Sequence, residues 1–278
     1  MHDHWGQGED EFYVDPDYEV NSQTALLYGI DPKTQFKKEL VLIPGLLSLK
    51  KIDTDSINDS LSSFNGQVPW EQCVVLDLKE ILGRDLGSQT NLLNLGLLSI
   101  RLLKPGSVYF GPIITYTEDK STRSISNFEK RPSPSTFFNM ISLNDKEKKE
   151  LVEIVNGLRK LVSDNYGHLR ISFNRFSKSF INRNMEDKLI DLCIAFEALL
   201  FKGDHKKSMA PMWIVIGKIC SNIIGGTKED RKSIRTHIQA VYDLRNKVVH
   251  GGEVHNYELW DAVPRFENYY IQTLRKII

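Results

Sequence analysis

The sequence is poor in cysteine and has no long apolar segment. Its three cysteines, Cys73, Cys193 and Cys220, lie far apart in 278 residues, which argues against a disulfide framework or a zinc cluster and fits a reducing compartment. No run approaches the roughly 18 apolar residues that a membrane span needs, and the polar start MHDHWGQGEDEFY has no apolar signal core. We therefore expect a cytoplasmic protein that has no membrane partner.

Common catalytic signatures are also missing. The chain has no Walker motif, no dinucleotide fingerprint and no pair of carboxylates that suggests acid–base catalysis. His2 and His4 could hold a metal ion, but histidines on a chain terminus are more often solvated. We therefore expect neither a metal ion nor an organic cofactor.

The chain as a whole has no excess of charge, but its halves do. The 36 Lys and Arg residues balance the 36 Asp and Glu residues. Residues 1–140 contain 13 basic and 19 acidic residues, a net charge of −6, whereas residues 141–278 contain 23 and 17, a net charge of +6. The second half is therefore the one that we expect to contact phosphate.

The hydrophobic pattern also changes along the chain, and we place a domain boundary between residues 140 and 141. In the first half, QCVVLDL (72–78), LNLGLLSIRLL (93–103) and VYFGPIITYT (108–117) are rich in branched and aromatic residues and are separated by glycine and proline, which is typical of strands. The polar stretch 118–136 predicts a loop. Residues 1–140 are thus predicted to form a β-rich, mixed α/β domain.

Residues 141–278 show helical periodicity, so the predicted fold class is α+β with an all-α C-terminal domain. Asn144 and Glu147 have the spacing of a capping box. The apolar face of a first helix follows from residue 151 to residue 162, and further helices are predicted at about 168–181, 186–201, 210–224, 228–249 and 256–276. The third is apolar nearly all round, which predicts the central helix of a bundle. We expect Cys193, Cys220, Trp213 and Trp260 to lie in the core.

Arg245 interrupts an apolar stripe on the fifth helix. Each residue of an ideal helix advances by about 100°, which places Arg245 in the middle of the stripe formed by residues 234–249. A guanidinium group there needs a partner, a cleft or an interface. One interpretation is a structural ion pair with Glu197 or Asp191. The other is a clamp for phosphate, which suits the planar fork of arginine.

His250 stands at the predicted end of the same helix. Gly251 and Gly252 predict that the helix stops there. We expect the helix geometry to loosen in this last turn, so that the imidazole can turn toward Arg245. Histidine at such a position is often a simple cap, but it can also exchange protons near neutral pH.

Two segments together resemble the HEPN superfamily (higher eukaryote and prokaryote nucleotide-binding domains). Arg245-Asn246-x3-His250 matches the Arg-x4–6-His signature, with a polar residue directly after the arginine. DKLIDLCIAFEALLF (187–201) followed by VYDLRNKVVHGG (241–252) is similar to the Apea-like HEPN branch, in which a helix ending in Glu-x-Leu-Leu precedes the signature helix. The resemblance covers roughly residues 145–278, and the first half resembles no family.

This resemblance implies an all-helical HEPN bundle that forms a homodimer through the C-terminal domain and brings two Arg/His pairs into one cleft. Many HEPN proteins are metal-independent endoribonucleases of toxin–antitoxin, abortive-infection and CRISPR systems, whereas others only bind nucleotide or RNA. Because the full signature is present, we expect an antiviral-defence or toxin ribonuclease. Its expected partners are RNA, a second copy, and an antitoxin or phage trigger recognised by residues 1–140. A non-catalytic RNA- or nucleotide-binding module is the alternative.

The predicted chemistry is attack of a 2′-hydroxyl group of RNA on the neighbouring phosphate, which leaves a 2′,3′-cyclic phosphate and a 5′-hydroxyl group. The two His250 side chains of a dimer could act as base and acid, and Arg245 would stabilise the charge on the phosphorane. Asn246 could orient the imidazole or hold a phosphate oxygen. Glu197 is expected to orient Arg245.

Further basic residues are expected to bind the RNA backbone, although an ordinary solvated helix face is the competing interpretation. These are Arg231, Lys232, Arg235 and Lys247.

Overall fold

The computed structural model describes residues 22–31, 33–36, 39–53, 72–79, 86–104, 108–116, 122–127, 140–163, 167–181, 184–201 and 210–278. The predictions for His2 and His4 lie outside the described residues.

The N-terminal half forms an antiparallel sheet, with six strands among the described residues. They are β1 (Ser22–Tyr28), β2 (Glu39–Ile43), β3 (Leu47–Asp53), β4 (Gln72–Leu78), β5 (Tyr109–Tyr116) and β6 (Thr122–Asn127), in the order β2-β3-β4-β1-β5-β6. The predicted strands at 72–78 and 108–117 are confirmed. The residues of β1 from 23 to 27 are all buried, including the polar Gln23 and Thr24, so the strand shows no alternation of apolar and polar residues.

The segment LNLGLLSIRLL, predicted as a strand, belongs to helix α1 (Leu86–Leu103), so that prediction is wrong. Leucine dominates the segment and Ile100 is its only β-branched residue, a composition that favours a helix over a strand. The helix packs closely on the sheet at Gly96, where a Cβ atom would lie 3.0 Å from Leu76 Cδ1 and 3.3 Å from Leu47 Cδ2. The glycine therefore permits the close approach of helix and sheet.

The loop predicted for residues 118–136 is wrong at Thr122–Asn127, which form β6. This edge strand pairs with β5 in antiparallel register. Its sequence, TRSISN, contains one large apolar residue. Its strand conformation therefore depends on the neighbouring strand rather than on its own hydrophobic pattern.

The C-terminal half is helical, as predicted. Its helices are α2 (Asp145–Ser163), α3 (Gly167–Ile181), α4 (Met185–Leu200), α5 (Met212–Ile224), α6 (Lys228–Val249) and α7 (Asn256–Ile277). The predicted capping box is present, because the Asn144 side chain accepts from the Glu147 amide and the Glu147 carboxylate accepts from the Asn144 amide, both at 2.9 Å. The fold is therefore α+β with a helical C-terminal region.

Helix α4 is the central helix of this region. It contacts α3, α5, α6 and α7, and Cys193 and Phe196 on it are buried. The Phe196 ring packs against those of Phe266 and Tyr270 on α7, with centroids 4.7 Å and 5.3 Å apart. Burial on several sides explains its nearly uniform apolar sequence.

The two tryptophans of the helical half differ in their surroundings. Trp213 is half-buried and packs against the core. The prediction of a core position is wrong for Trp260, which is 63% exposed. Trp260 lies on the outer side of α7, whose buried residues include Leu259 and Val263.

The sheet and the helical region share one continuous hydrophobic core. The chain crosses the predicted boundary at Ile141, which bridges to Ile30 and exchanges backbone hydrogen bonds of 2.8 Å with Gly29 and Asp31. The boundary between residues 140 and 141 therefore marks a change in secondary structure, and the core continues across it.

A second contact between the halves is Arg101, at the end of α1, which is fully buried. Its guanidinium group donates to the Val108 carbonyl at 2.8 Å and 3.0 Å and to the Ser177 carbonyl of α3 at 3.5 Å. It also lies over the rings of Tyr109 and Phe180, 5.8 Å and 4.9 Å from their centroids. A charged side chain is thus accommodated at this seam by carbonyl groups and aromatic rings.

Membrane spans and metal clusters are both absent from the described residues. None of the described helices combines the length and the hydropathy that a bilayer span requires. Likewise, no group of three or more His, Cys, Asp or Glu side chains in the described part of the chain converges on a possible metal position.

Candidate functional site at the end of helix α6

Helix α6 carries the predicted catalytic residues Arg245 and Asn246, and His250 follows directly as its C-cap residue. Both ends of the helix are determined by local contacts. At its start, the Thr227 hydroxyl accepts from the Asp230 amide at 3.1 Å, and the Asp230 carboxylate accepts from the Thr227 amide at 3.0 Å. Four apolar residues at helical spacing, Ile234, Ile238, Val241 and Leu244, are buried against the bundle. This stripe determines which side of α6 faces outward.

The helix ends at the predicted glycine pair. Gly251 has a positive φ of 71°, and its amide donates to the Val248 carbonyl at 3.2 Å. The Gly252 amide donates to the Lys247 carbonyl at 2.8 Å. These two bonds form a Schellman motif, which explains why a glycine stands at position 251.

His250 is the C-cap residue, and its side chain is exposed. Its amide still donates to the Asn246 carbonyl at 3.1 Å, but its φ of −96° and ψ of 10° depart from α-helical values. The helix geometry therefore loosens at His250, whereas a turn of the imidazole toward Arg245 stays a prediction. Five residues of helix rotate the side-chain direction by about 500°, which leaves His250 about 140° from Arg245 around the axis.

Arg245 lies half-buried on the side of α6 that faces the bundle. Its Nη1 atom donates to Asn246 Oδ1 at 3.2 Å. Its Nε atom is buried and has no hydrogen-bond acceptor within the described part of the chain. A buried donor without an acceptor is costly, so this group has unused capacity to bind an acceptor.

Neither carboxylate proposed as the partner of Arg245 forms an ion pair with it. Asp191 pairs with Arg175, whose Nη1 atom lies 2.9 Å from Asp191 Oδ1. Glu197 accepts a hydrogen bond of 3.1 Å from the Tyr242 hydroxyl. Among the described residues, no carboxylate oxygen lies within 4.0 Å of the Arg245 guanidinium group. The structural ion pair is therefore not present in this part of the chain.

The charge of Arg245 nevertheless acts on its buried neighbours. Burial raises the pKa of the Cys193 thiol strongly, Glu197 raises it further, and Arg245 opposes both effects. Burial likewise raises the pKa of the Tyr242 phenol, with Cys193 and Glu197 in the same direction and Arg245 against them. Both groups are therefore neutral near pH 7.

The four basic residues predicted to bind RNA along α6 differ in their acidic neighbours. Arg231, Lys232 and Arg235 are exposed, and none of them has an ion pair within 4.0 Å in the described part of the chain. Lys247 is also exposed but faces Glu258 at the start of α7, with Nζ 4.0 Å from Oε1. Lys247 thus differs from the other three in having a carboxylate neighbour within 4.0 Å.

Sequence reasoning missed Tyr242, which holds Glu197 in place. The available signal was its spacing, because residues three apart on a helix share a side, and Tyr242 precedes Arg245 by three positions. It also missed the exposed apolar side chains close to the end of α6, namely Val249, Tyr257 and Trp260, which are 46%, 71% and 63% exposed.

Comparisons of the chain with family models, with curated proteins and with solved structures find no match. The relationship to HEPN proteins therefore stays a prediction from the two sequence segments. What the described geometry provides is a cation that lacks a counter-ion, an amide side chain bonded to it, and an exposed imidazole one turn further along. These groups can bind a phosphate, and an imidazole can transfer a proton to or from it.

Proposed function

We propose that the chain is a metal-independent endoribonuclease of the HEPN type that cleaves RNA in a defence system of the abortive-infection or toxin–antitoxin kind. The observation that carries this proposal is the state of Arg245. Among the described residues, its half-buried guanidinium group has no carboxylate nearby and an unsatisfied Nε atom, which a role in binding an anion explains better than a structural role. The exposed His250 supplies the proton-transfer group.

The reaction needs two imidazoles and a cation. One His250 removes the proton of the 2′-hydroxyl group, whose oxygen then attacks the phosphorus atom. The bond from phosphorus to the 5′-oxygen breaks, and a second, protonated His250 donates its proton to that oxygen. Arg245 stabilises the negative charge on the phosphorane, and Asn246 holds Arg245 in place.

A homodimer follows from this chemistry. Arg245 and His250 lie about 140° apart on α6 and make no hydrogen bond with each other among the described residues. A twofold pairing that opposes the ends of two α6 helices would place His250 of one protomer near Arg245 of its partner and would supply two histidines to one cleft.

Incubation of the purified protein with tRNA, mRNA and single-stranded oligoribonucleotides tests this function. We expect fragments that end in a 2′,3′-cyclic phosphate and begin with a 5′-hydroxyl group. His250→Ala should lower the cleavage rate by about 10²- to 10⁴-fold, which is the usual contribution of a general acid or base. His255→Ala, which removes another exposed imidazole five residues away, is the control that should cleave like the wild type.

Cleavage by His250→Ala at the wild-type rate would show that the site is assigned wrongly. A protein that binds RNA through Arg245 but never produces a cyclic phosphate would be the non-catalytic binding module instead. This second candidate is favoured by the absence of a hydrogen bond between Arg245 and His250 among the described residues.

The role in defence has its own test. Cells that express the wild type should stop growing, whereas cells that express His250→Ala should grow, and sequencing of RNA ends should locate the cleavage sites. Residues 1–140 would then recognise the antitoxin or the phage trigger. Growth arrest by both proteins would contradict toxicity through cleavage.

A further inference from the structure

A stripe of exposed polar residues runs along α6 to the candidate site. With Ile234 set at 0°, its members lie between about 100° and 160° around the helix axis. They are Lys228, Lys232, Arg235, Gln239, Asn246 and His250, all exposed. Their spacings of four, three, four, seven and four residues keep them on one side of the helix. We call these six residues the α6 stripe.

The acidic residues of α6 lie outside this sector. On the same scale, Glu229 lies at about 220°, Asp230 at about 320° and Asp243 at about 180°. Asp230 is used in the capping box with Thr227. Asp243, the closest of the three to the sector, stands about two turns beyond Arg235. Glu229 and Asp243 therefore border the sector, but neither forms an ion pair within 4.0 Å with a cation of the stripe among the described residues.

The positive charges of the stripe also lack partners on other elements. Among the described residues, Lys228, Lys232 and Arg235 form no ion pair within 4.0 Å. The aliphatic part of Arg235 packs against α5 at Gly217, where a Cβ atom would lie 3.5 Å from Arg235 Cγ. The Arg235 stem thus rests on α5, and its exposed guanidinium group can bind an anion.

We propose that the α6 stripe binds the phosphate backbone of one RNA strand and leads it to Asn246 and His250. The proposal rests on the proposed ribonuclease function and names the surface that holds the substrate on one side of the cleaved bond. The distance from Lys228 to His250 is about 33 Å at about 1.5 Å per residue. A stacked strand advances about 3.4 Å per nucleotide, so the stripe accommodates at most about ten nucleotides.

The stripe explains why the basic residues of α6 are arranged as they are. An ordinary solvated helix alternates charges of both signs around its outer side. Here the cations share a sector with the two polar residues of the signature. Lys247, by contrast, lies at about 220° around the axis and faces Glu258. Lys247 therefore lies outside the α6 stripe.

Binding of a 20-nucleotide single-stranded RNA with 2′-O-methyl groups tests the proposal, because this probe cannot be cleaved by 2′-hydroxyl attack. Lys232→Glu/Arg235→Glu removes two phosphate contacts. Binding should weaken about 20-fold or more at about 0.1 M salt, and the slope of log K against log salt should fall by about 1.4, since each contact on a single strand contributes about 0.7. Lys232→Gln/Arg235→Gln, which adds no repulsion, should lose less affinity with the same fall in slope.

The matched control is Lys149→Glu/Arg159→Glu on α2, where both residues are exposed and the net charge changes equally. It should bind the probe like the wild type. An equal loss in both double variants would mean that only net charge matters and would overturn the proposal. So would unchanged binding by the stripe variant, and in that case RNA cleavage that His250→Ala abolishes would leave the proposed function standing.

A shorter probe and a duplex probe sharpen the result. A four-nucleotide 2′-O-methyl RNA covers about 14 Å of the stripe at about 3.4 Å per nucleotide and cannot reach from Lys232 to His250, so the wild type should bind it more weakly than the 20-nucleotide probe. Binding of a 20-base-pair RNA duplex tests whether the α6 stripe binds only single-stranded RNA or also one strand of a double helix. If the wild type neither binds nor cleaves any RNA, the proposed function fails and the stripe fails with it.

Discussion

Two arginines of this chain lie in apolar parts of the fold and differ in what surrounds their guanidinium groups. Arg101, at the seam between sheet and helices, donates to two carbonyl groups and lies over aromatic rings. Within the described part of the chain, Arg245 bonds only to the adjacent Asn246 and leaves Nε without an acceptor. Burial of charge is therefore compatible with two roles, and the hydrogen-bond partners distinguish a structural arginine from one that can bind a ligand.

The largest expected effect is a difference in stability between the two arginine variants. Arg101→Ala removes both side-chain donors to the Val108 carbonyl and opens a cavity, which should lower the free energy of unfolding by about 3–5 kcal/mol. Arg245→Ala should change it by no more than about 1 kcal/mol, because no ion pair is lost. Urea unfolding at pH 7 measures both, and an equal loss would show that Arg245 is structural as well.

A smaller effect is expected from the backbone at the end of α6. Gly251 adopts a left-handed conformation with φ of 71°, which costs an ordinary residue about 1–2 kcal/mol. Gly251→Ala should therefore lower the free energy of unfolding by about that amount. Gly251→Asn should lose less, because asparagine tolerates this conformation. Thermal unfolding of the two variants checks the order, and equal stabilities would argue against the Schellman motif as the helix stop.

A further effect depends on pH and concerns His237 on the inner side of α6. Both of its imidazole nitrogens are buried without a partner among the described residues, and its ring packs edge-on against Tyr269 at 5.4 Å. Burial lowers the pKa of His237 to about 4, Arg265 lowers it further, and Asp261 opposes them. In the unfolded chain the pKa is about 6.5, so between about pH 6.5 and pH 4 the unfolded state binds a proton that the folded state does not.

The wild type should consequently lose stability as the pH falls through this window. His237→Phe keeps a ring against Tyr269 but cannot titrate, so its stability relative to the wild type should increase from pH 7 to pH 4.5. Urea midpoints at several pH values give the comparison. If the difference in stability between His237→Phe and the wild type does not change with pH, His237 is protonated in the folded protein or is accessible to water.

Sequence reasoning worked far better in the helical half than in the sheet half. The capping box at Asn144 and the glycines at 251 and 252 mark helix ends through contacts between residues at most five positions apart. Leu86–Leu103 and Thr122–Asn127 were misassigned because the choice between strand, helix and loop in these segments depends on neighbours that are distant in sequence. The same reason explains why Trp260 was wrongly placed in the core.

By itself, the sequence determined where α6 begins and ends, which side of it is apolar, and that Arg245, Asn246 and His250 stand on its last turns, because helical periodicity and capping are local. Only the tertiary structure decided what these side chains meet. Because α4 packs against α6, Glu197 accepts a hydrogen bond from Tyr242, and Arg245 is left without a counter-ion among the described residues. Because α3 packs against α4, Asp191 forms an ion pair with Arg175. Such choices depend on which distant helices come together, and a spacing along one chain does not contain that information.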